Sequence, residues 1–191
     1  MIVSSSYLAT AIIRPLRYLF KNYATEDLKW SPDEFESKIE IDSINNFHKQ
    51  AIQALPRVLV SRGGFTVTSL GLADSLAESD GPYHLFGLTN DTKAVLITGQ
   101  AQILIQSRNE GTCEKVTEMV QHFLTWTSPY LCNSEGFKTF AFPLQVSPCT
   151  PNKDDTEVFE VSIGIPWVKE ELWRVCNDAV KLKGILTDLS F

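Results

Sequence analysis

A change of hydrophobic period constrains the fold of this chain more than any other feature of its sequence. Residues 93–107 alternate between apolar and polar side chains, which predicts a long β-strand. Over residues 107–126 the apolar positions recur every three or four residues, which predicts an amphipathic helix. Ser107 and Glu110 have the spacing of a capping box and predict the start of that helix. The proline of residues 127–129 predicts its end.

The predicted strand has two chemically different faces. One face is apolar and carries Val95, Ile97, Ala101, Ile103 and Ile105. The other is mainly polar and carries Leu96, Thr98, Gln100, Gln102, Leu104 and Gln106. Gly99 predicts a bulge or a bend in this strand. A face of amides and hydroxyls can stay hydrated or pair with a neighbouring subunit, so it is a candidate contact surface.

The remaining elements surround this strand and helix. Residues 4–23 read as a helix, because apolar side chains fall on one stripe, and Pro15 predicts either a kink or a later true start. Residues 57–62 and 65–70 read as two strands, joined at Gly63-Gly64 by a turn or a bulge. Strands at 136–149 and 156–167 form a predicted β-hairpin, and a short helix is predicted for residues 168–175.

This order of elements predicts the fold class. We expect an α+β domain with a mostly antiparallel β-sheet, a helix layer packed on one face, an N-terminal helix, a long loop and a β-hairpin. The 191 residues suit a single domain spanning 1–191. Three parts lie outside its regular core: an acidic extended or helical segment at 24–56, a long loop at 71–91 and a C-terminal tail at 176–191. Within the first, Ser31-Pro32 predicts a short helical turn followed by extended chain.

Charge is distributed unevenly at the start of the chain. The first 23 residues contain three basic side chains and no acid, whereas residues 24–42 hold seven acids and two lysines. This step in charge is predicted to be complementary within one chain or between neighbouring subunits, where Arg14 and Arg17 would meet Asp33, Glu34 or Glu36 of a neighbour. Ordinary solvated faces are the alternative. The net charge of −6 argues against a DNA-gripping surface, which needs clustered Lys and Arg.

No motif in the sequence indicates catalysis or a bound metal. The turn before the second helix lacks the glycine pattern of a phosphate-binding loop, and Glu110 already supplies the negative charge there. Cys113 lies on the apolar stripe, where a thiol is inert. The cysteines have no CxxC pair, and the histidines, His48, His84 and His122, are scattered. We therefore expect no catalytic residue, no cofactor and no metal.

No apolar run approaches the 18 residues of a membrane-spanning helix. The N-terminus has no basic region ahead of its apolar part, and Arg14, Pro15 and Arg17 interrupt that part early. We therefore expect no secretion signal and no membrane partner. The widely spaced cysteines are typical of a reducing cytoplasm.

Four stretches in series carry a resemblance to a known family. They are PRVLVSRGGF (56–65), VLITGQAQILIQSR (95–108), EGTCEKVTEMVQHFLTW (110–126) and EVFEVSIGIPW (157–167). Together with the N-terminal helix they resemble the tail terminator, or tail completion, proteins of the neck of tailed bacteriophages. The resemblance covers about residues 57–170 and rests on element order and residue character. The acidic segment 24–56 and the C-terminal tail depart from compact members of the family.

The resemblance implies a structural virion protein rather than an enzyme. Such proteins form a ring, usually a hexamer, that caps the tail tube, ends its polymerisation and joins the tail to the head connector. DNA would pass through without sequence-specific binding, and the protein would occupy the host cytoplasm during assembly and then the virion neck. In the loop, Asp80 and Tyr83 are predicted to contact other proteins, as are Leu186 and Phe191 in the tail.

Two other classes of protein remain open on the sequence alone. The first is a different neck component, such as a connector adaptor or a stopper protein bound to the portal ring. The second is a non-viral α+β binding domain. An adaptor predicts a twelve-fold ring that binds portal, whereas a terminator predicts a ring at the ends of tail tubes.

Overall fold

The structure is a computed structural model, and it describes residues 5–33, 35–44, 56–69 and 91–175. Two helices and a 3₁₀ turn accompany seven strands in this part of the chain. The helices are α1 (Ser5–Asn22) and α2 (Glu110–Glu135), and the 3₁₀ turn is Glu26–Leu28. The strands are β1 (Glu40–Ser43), β2 (Arg57–Ser69), β3 (Asp91–Ser107), β4 (Phe137–Phe140), β5 (Gln145–Val146), β6 (Thr150–Pro151) and β7 (Phe159–Val175). The predicted loop and the C-terminal tail fall outside the described residues, apart from Asp91.

The seven strands form one mixed sheet in the order β1-β2-β3-β7-β4. The short strands β5 and β6 also pair with β7, on the side where β4 lies. β1 runs parallel to β2, and every other pairing is antiparallel. The α+β class and the mostly antiparallel sheet are therefore confirmed.

Both helices pack on the same face of the sheet, which we call the covered face. The alternating residues of β3 and β7 that point to this side are buried together with the apolar stripes of the helices. The principal contributors are Leu8, Ile12, Leu16, Phe20, Val116, Val120, Leu124, Ile103, Ile105, Ile163, Ile165 and Trp167. The predicted apolar face of β3 is thus confirmed where its side chains are described, from Ile97 to Ile105.

Gly99 is a regular ladder residue, so the prediction of a bulge or bend there is wrong. It pairs with Phe65 on one side and with Trp167 on the other. A Cβ atom at Gly99 would lie 2.5 Å from Cζ2 of the Trp167 indole. The glycine is needed because the tryptophan side chain lies across this position on the covered face.

The bulge lies in β2 instead. Residues 57–69 form one continuous strand, and the register against β3 shifts between Arg62 and Phe65. The prediction of two strands separated by a turn is therefore wrong, while its alternative of a bulge at Gly63-Gly64 is confirmed. A Cβ atom at Gly63 would lie 2.5 Å from the backbone oxygen of Gln100, so only glycine permits this close approach.

Both ends of α2 differ from prediction. The N-cap is Asn109, whose side-chain oxygen accepts a hydrogen bond from the Thr112 amide (3.1 Å). Ser107 instead remains in β3, and its hydroxyl accepts from the Asn109 amide (3.2 Å). The helix also continues through Pro129 to Glu135 and ends at Gly136 in the left-handed conformation (φ 70°). Beyond the proline, Leu131 is buried against the core, which favours continuation of the helix.

The predicted hairpin is more irregular than its sequence indicates. Residues 136–149 form β4 and β5 with a break between them, where Ala141 has a φ of 68° and Phe142 is exposed. The second strand, by contrast, is longer than predicted. Residues 168–175 continue β7, since they pair with the start of β3 as far as Val175 opposite Asp91. The short helix predicted there is wrong.

Candidate interaction surfaces

The face of the sheet opposite the helices carries a row of amide side chains, and we call it the open face. Gln102 Nε2 donates a hydrogen bond to Ser162 Oγ across β3 and β7 (2.7 Å). Gln106 Nε2 donates in the same way to Glu160 Oε2 (3.2 Å). Gln102 remains exposed even so. The polar face predicted from the sequence is therefore present, and its side chains are tied to one another across the strands.

A cleft of about 440 Å³ lies on this open face, beside β5 at the edge of the sheet. Its lining is Gly63, Gln100, Gln102, Gln145, Val146, Ser147, Ser162 and Gly164. The Gln100 side chain lies over Gly164, and a Cβ atom at Gly164 would come within 2.5 Å of the Gln100 amide nitrogen. The same nitrogen donates a hydrogen bond to Gln145 Oε1 (3.4 Å). The described residues of the lining supply hydrogen-bond donors and acceptors and include no ionisable side chain, so the cleft can bind polar groups.

A second surface lies on the outer side of α1. It consists of Arg14, Tyr18, Lys21 and Tyr23, which we call the α1 stripe. The two tyrosine rings meet edge to face with centroids 6.3 Å apart and are 62% and 71% exposed. Arg14 and Lys21 have no ion-pair partner among the residues that the structure describes. Two cations and two aromatic rings are thus presented together.

Arg17 differs from Arg14, although both were predicted as contact residues. Its guanidinium donates twice to the backbone oxygen of Ile41, from Nε (3.0 Å) and Nη2 (2.8 Å). It also lies 3.8 Å from the Asp42 carboxylate and stacks over the Trp30 ring at 5.3 Å. Its polar contacts therefore tie α1 to β1 within one chain, and the acid beside it is Asp42 rather than Asp33.

The third surface is formed by residues 31–33 and 35–37, which we call the acidic turn. Its shape is set locally, since Asp33 Oδ1 accepts from the Phe35 amide (3.0 Å) and the Asp33 carbonyl accepts from Ser37 (3.0 Å). Ser37 Oγ donates to Ile39 at the start of the buried chain (2.7 Å). Phe35 stands at the tip and is 98% exposed.

The structure places the predicted contact residues unevenly. Arg14 and Asp33 are exposed on the α1 stripe and the acidic turn respectively. Glu34, Asp80, Tyr83, Leu186 and Phe191 lie outside the described residues. Sequence reasoning missed Tyr18 and Phe35, because an aromatic residue in an irregular or amphipathic segment is usually buried. For Tyr18 a signal existed, since it lies off the apolar stripe at the i+4 position from Arg14.

The strand–helix junction carries no reactive thiol. Cys113 is buried where α2 packs on β3 and β7, with its sulfur near the Ile105 and Phe159 carbonyl oxygens (3.8 and 3.7 Å). Burial, and next the neighbouring Cys149, raise the pKa of the Cys113 thiol to about 12. A thiol with that pKa stays protonated at neutral pH and is a poor nucleophile. His122 is exposed on α2, 3.6 Å from Glu118.

Comparisons with known proteins give the chain no family. No protein-family model matches the sequence. No curated protein matches it at a significant level. Within the described residues, no three His, Cys, Asp or Glu side chains are grouped as a metal would require. Neither described helix has the length and apolar character needed to cross a lipid bilayer.

Proposed function

We propose that this chain is a structural protein of a bacteriophage neck that assembles with copies of itself into a ring. The ring caps the tail tube, ends its polymerisation and joins the tail to the head connector. The proposal begins from the resemblance of residues 57–170 to tail terminator proteins, which is a matter of element order. The α+β fold with an N-terminal helix is compatible with it.

The observation that carries the proposal is the difference between the two faces of the sheet. The apolar side chains of β3 and β7 are buried under the helices on one face, while the other face offers a hydrogen-bonding surface. Interfaces formed by subunits that first exist as free monomers are rich in such polar contacts. The open face of β3 and β7 fits that role, because Gln102 and Ser162 can exchange their hydrogen bonds with another chain.

Charge supports passage of DNA rather than its capture. The chain has a net charge of −6. Affinity for DNA arises mainly from contacts of Lys and Arg with phosphate. A ring of such acidic subunits would let DNA move through its channel without trapping it.

The test is to measure the mass of the purified chain and to image it by negative-stain electron microscopy. We expect concentration-dependent assembly into annuli, and binding of those annuli to the ends of tail tubes from the same phage. Annuli with twelve-fold symmetry that bind portal instead of tubes would favour a connector adaptor, and binding to an adaptor ring would favour a stopper. A chain that stays monomeric at every concentration, with and without tubes, contradicts the proposal.

The cleft on the open face favours a second candidate, a binding domain for a small polar molecule. Its lining of amides and hydroxyls is suited to a neutral, hydrogen-bonding ligand. Thermal-shift screening of uncharged polar metabolites would test it. Stabilisation that is lost in Gln100→Ala, in a chain that remains monomeric, would favour this candidate over the ring.

A further inference from the structure

We propose that the acidic turn of one subunit docks on the α1 stripe of the next copy of this chain. The inference rests on the proposed ring and names the contact that would build it. Its basis is the complementarity of two exposed surfaces that the same chain carries at different places. One presents an aromatic side chain between acids, and the other presents aromatic rings between bases.

The acidic turn has the properties of a protruding anchor. Phe35 is 98% exposed, so almost none of its surface contacts its own chain. In sequence it lies among Asp33, Glu34 and Glu36, and neither Asp33 nor Glu36 has an ion-pair partner among the described residues. Hydrogen bonds from Phe35 and Ser37 to Asp33 restrain the described part of the turn, which lowers the entropy lost on binding.

Both ends of the turn are fixed to the body of the domain. Leu28 before it and Ile39 after it are buried in the core. The Lys38 amide donates to the Lys29 carbonyl (2.9 Å), which closes the base of the segment. The chain is therefore anchored in the domain on both sides of the exposed Phe35, an arrangement that suits insertion of this side chain into another surface.

The α1 stripe supplies the matching groups. Arg14 and Lys21 lie seven residues apart on one side of the helix, with Tyr18 between them. A phenylalanine ring placed against Tyr18 and Tyr23 would be flanked by two cations, which the acids of the turn would neutralise. No acid occurs in the first 25 residues, so no carboxylate of that segment competes for these cations.

The contact must be between different copies, since Phe35 is almost fully exposed and cannot be packed on the stripe of its own chain. The proposed ring requires the contact to be head to tail, so that every pair leaves one free turn and one free stripe at its ends. Such heterologous contacts propagate until the rotation closes a ring. Two chains related by a two-fold axis would instead use both surfaces and stop at a dimer. Arg17 takes no part, because its hydrogen bonds hold α1 to β1.

Charge reversal with rescue is the decisive experiment. We expect Arg14→Glu/Lys21→Glu and Asp33→Lys/Glu36→Lys each to weaken assembly about 10-fold or more in Kd, measured by analytical ultracentrifugation. The chain carrying all four changes should recover assembly. Phe35→Ala should weaken it about 10- to 100-fold. Arg108→Glu/Lys153→Glu is the matched charge control and Trp126→Ala the matched aromatic control, because these side chains are exposed and lie outside both surfaces.

Mixing two defective variants tests whether the turn of one chain docks on the stripe of another, and a wild-type chain that stops at a dimer would show a symmetric contact instead of a head-to-tail one. Phe35→Ala keeps its stripe, and Arg14→Glu/Lys21→Glu keeps its turn. Their mixture should form a capped pair of subunits and no annuli. Circular dichroism of each variant checks that the fold is retained, as expected for substitutions at exposed positions.

The outcomes distinguish this contact from the ring itself. If the wild-type chain forms annuli and the charge variants do so equally well, the contact is overturned while the ring stands. If the wild-type chain is monomeric under all conditions, both are overturned. If wild-type annuli are lost in the single-surface variants and restored by the fourfold reversal, both are supported.

Discussion

The covered and open faces of the sheet are built by alternate residues of the same strands, yet they differ in almost every physical property. Ile103 and Ile163 are paired on the covered face and fully buried. One position away, Gln102 points to the other side and bonds to Ser162 in partly exposed surroundings. The strands therefore separate two roles, since one set of residues stabilises the fold and the adjacent set remains available for contact.

The difference also explains how a polar surface can be broad without weakening the domain. Burial of apolar area is the dominant favourable term in folding, and the two helices provide most of it on one side. On the other side, hydrogen bonds between amides make only modest net contributions because water competes for them. The open face is thus free to vary in sequence with little effect on stability.

The largest expected effect is the difference in the free energy of unfolding between substitutions of neighbouring residues on the two faces. Ile103→Ala should lower the free energy of unfolding by about 2–5 kcal/mol, because it leaves a cavity in a fully buried site. Gln102→Ala should cost under about 1 kcal/mol, since an exposed hydrogen bond is lost. Urea unfolding of both variants provides the measurement. Equal losses would mean that the open face contributes to folding as much as the covered face does.

Gly99 on the covered face should tolerate a side chain far less well than Gly64, the second glycine of the bulge. Gly99→Ala would place its Cβ 2.5 Å from Cζ2 and 2.7 Å from Cε2 of the buried Trp167, and we expect a loss of about 1–3 kcal/mol. Gly64→Ala is the control, because no heavy atom lies within 4 Å of its added Cβ. Thermal unfolding would show the difference. A stable Gly99→Ala variant would imply that the indole can move aside at little cost.

The two faces could be predicted from the sequence because hydrophobic period is a direct record of burial. Ile97, Ile103 and Ile105 alternate with glutamines, and no other element assignment accounts for that pattern. The amphipathic stripe of α2 is equally clear. The α+β class followed from these two elements together with the N-terminal helix.

Element boundaries were less predictable because several residues satisfied competing rules. Ser107 and Asn109 are both good N-caps, and the longer β3 ladder decided in favour of Asn109. Pro129 predicted the end of α2, but burial of Leu131 stabilises the part of the helix that follows the proline. Residues 168–175 carry helix-forming side chains, and pairing with the distant start of β3 overrode that local preference.

The candidate contact surfaces were only partly predictable for a related reason. The change from basic to acidic residues along the chain predicts that Arg14, Arg17 and Asp33 form contacts. Sequence could not separate Arg14 from Arg17, because the partner of Arg17 is a backbone oxygen at Ile41. Nor could it show that Phe35 is exposed, since exposure depends on the path of the whole turn.

Alkaline pH should weaken the packing of the helix on the covered face. The pKa of Cys113 rises from its ordinary 9.0 to about 12 in the folded chain, so above pH 9 the unfolded chain has lost a proton that the folded chain keeps. The free energy of unfolding then falls as pH rises, by about 1.4 kcal/mol per unit for one thiol. Below the unfolded pKa the contribution is constant.

The measurement is urea unfolding between pH 9 and pH 10, comparing the wild-type chain with Cys113→Ala. This window avoids Tyr7, whose pKa is raised from 10.0 to about 12 and which adds a similar slope only above pH 10. The free energy of unfolding should fall less steeply with pH in Cys113→Ala than in the wild-type chain, by an amount approaching about 1.4 kcal/mol per pH unit. Identical slopes in the two chains would mean that Cys113 ionises in the folded state as readily as in the unfolded state.

The smallest effect on stability is expected for a charge placed on the open face. Gln102→Lys should change the free energy of unfolding by less than about 0.5 kcal/mol, because the residue is exposed and the lysine amine can remain in water. If another subunit covers this face, the same lysine is buried without a partner on assembly, and Kd should rise by about 10-fold or more. Asn133→Lys, which also replaces an exposed amide but lies on α2, is the matched control. Equal assembly of the two variants, measured by sedimentation, would mean that the open face stays in contact with water in the ring and forms part of its channel instead of its subunit interface.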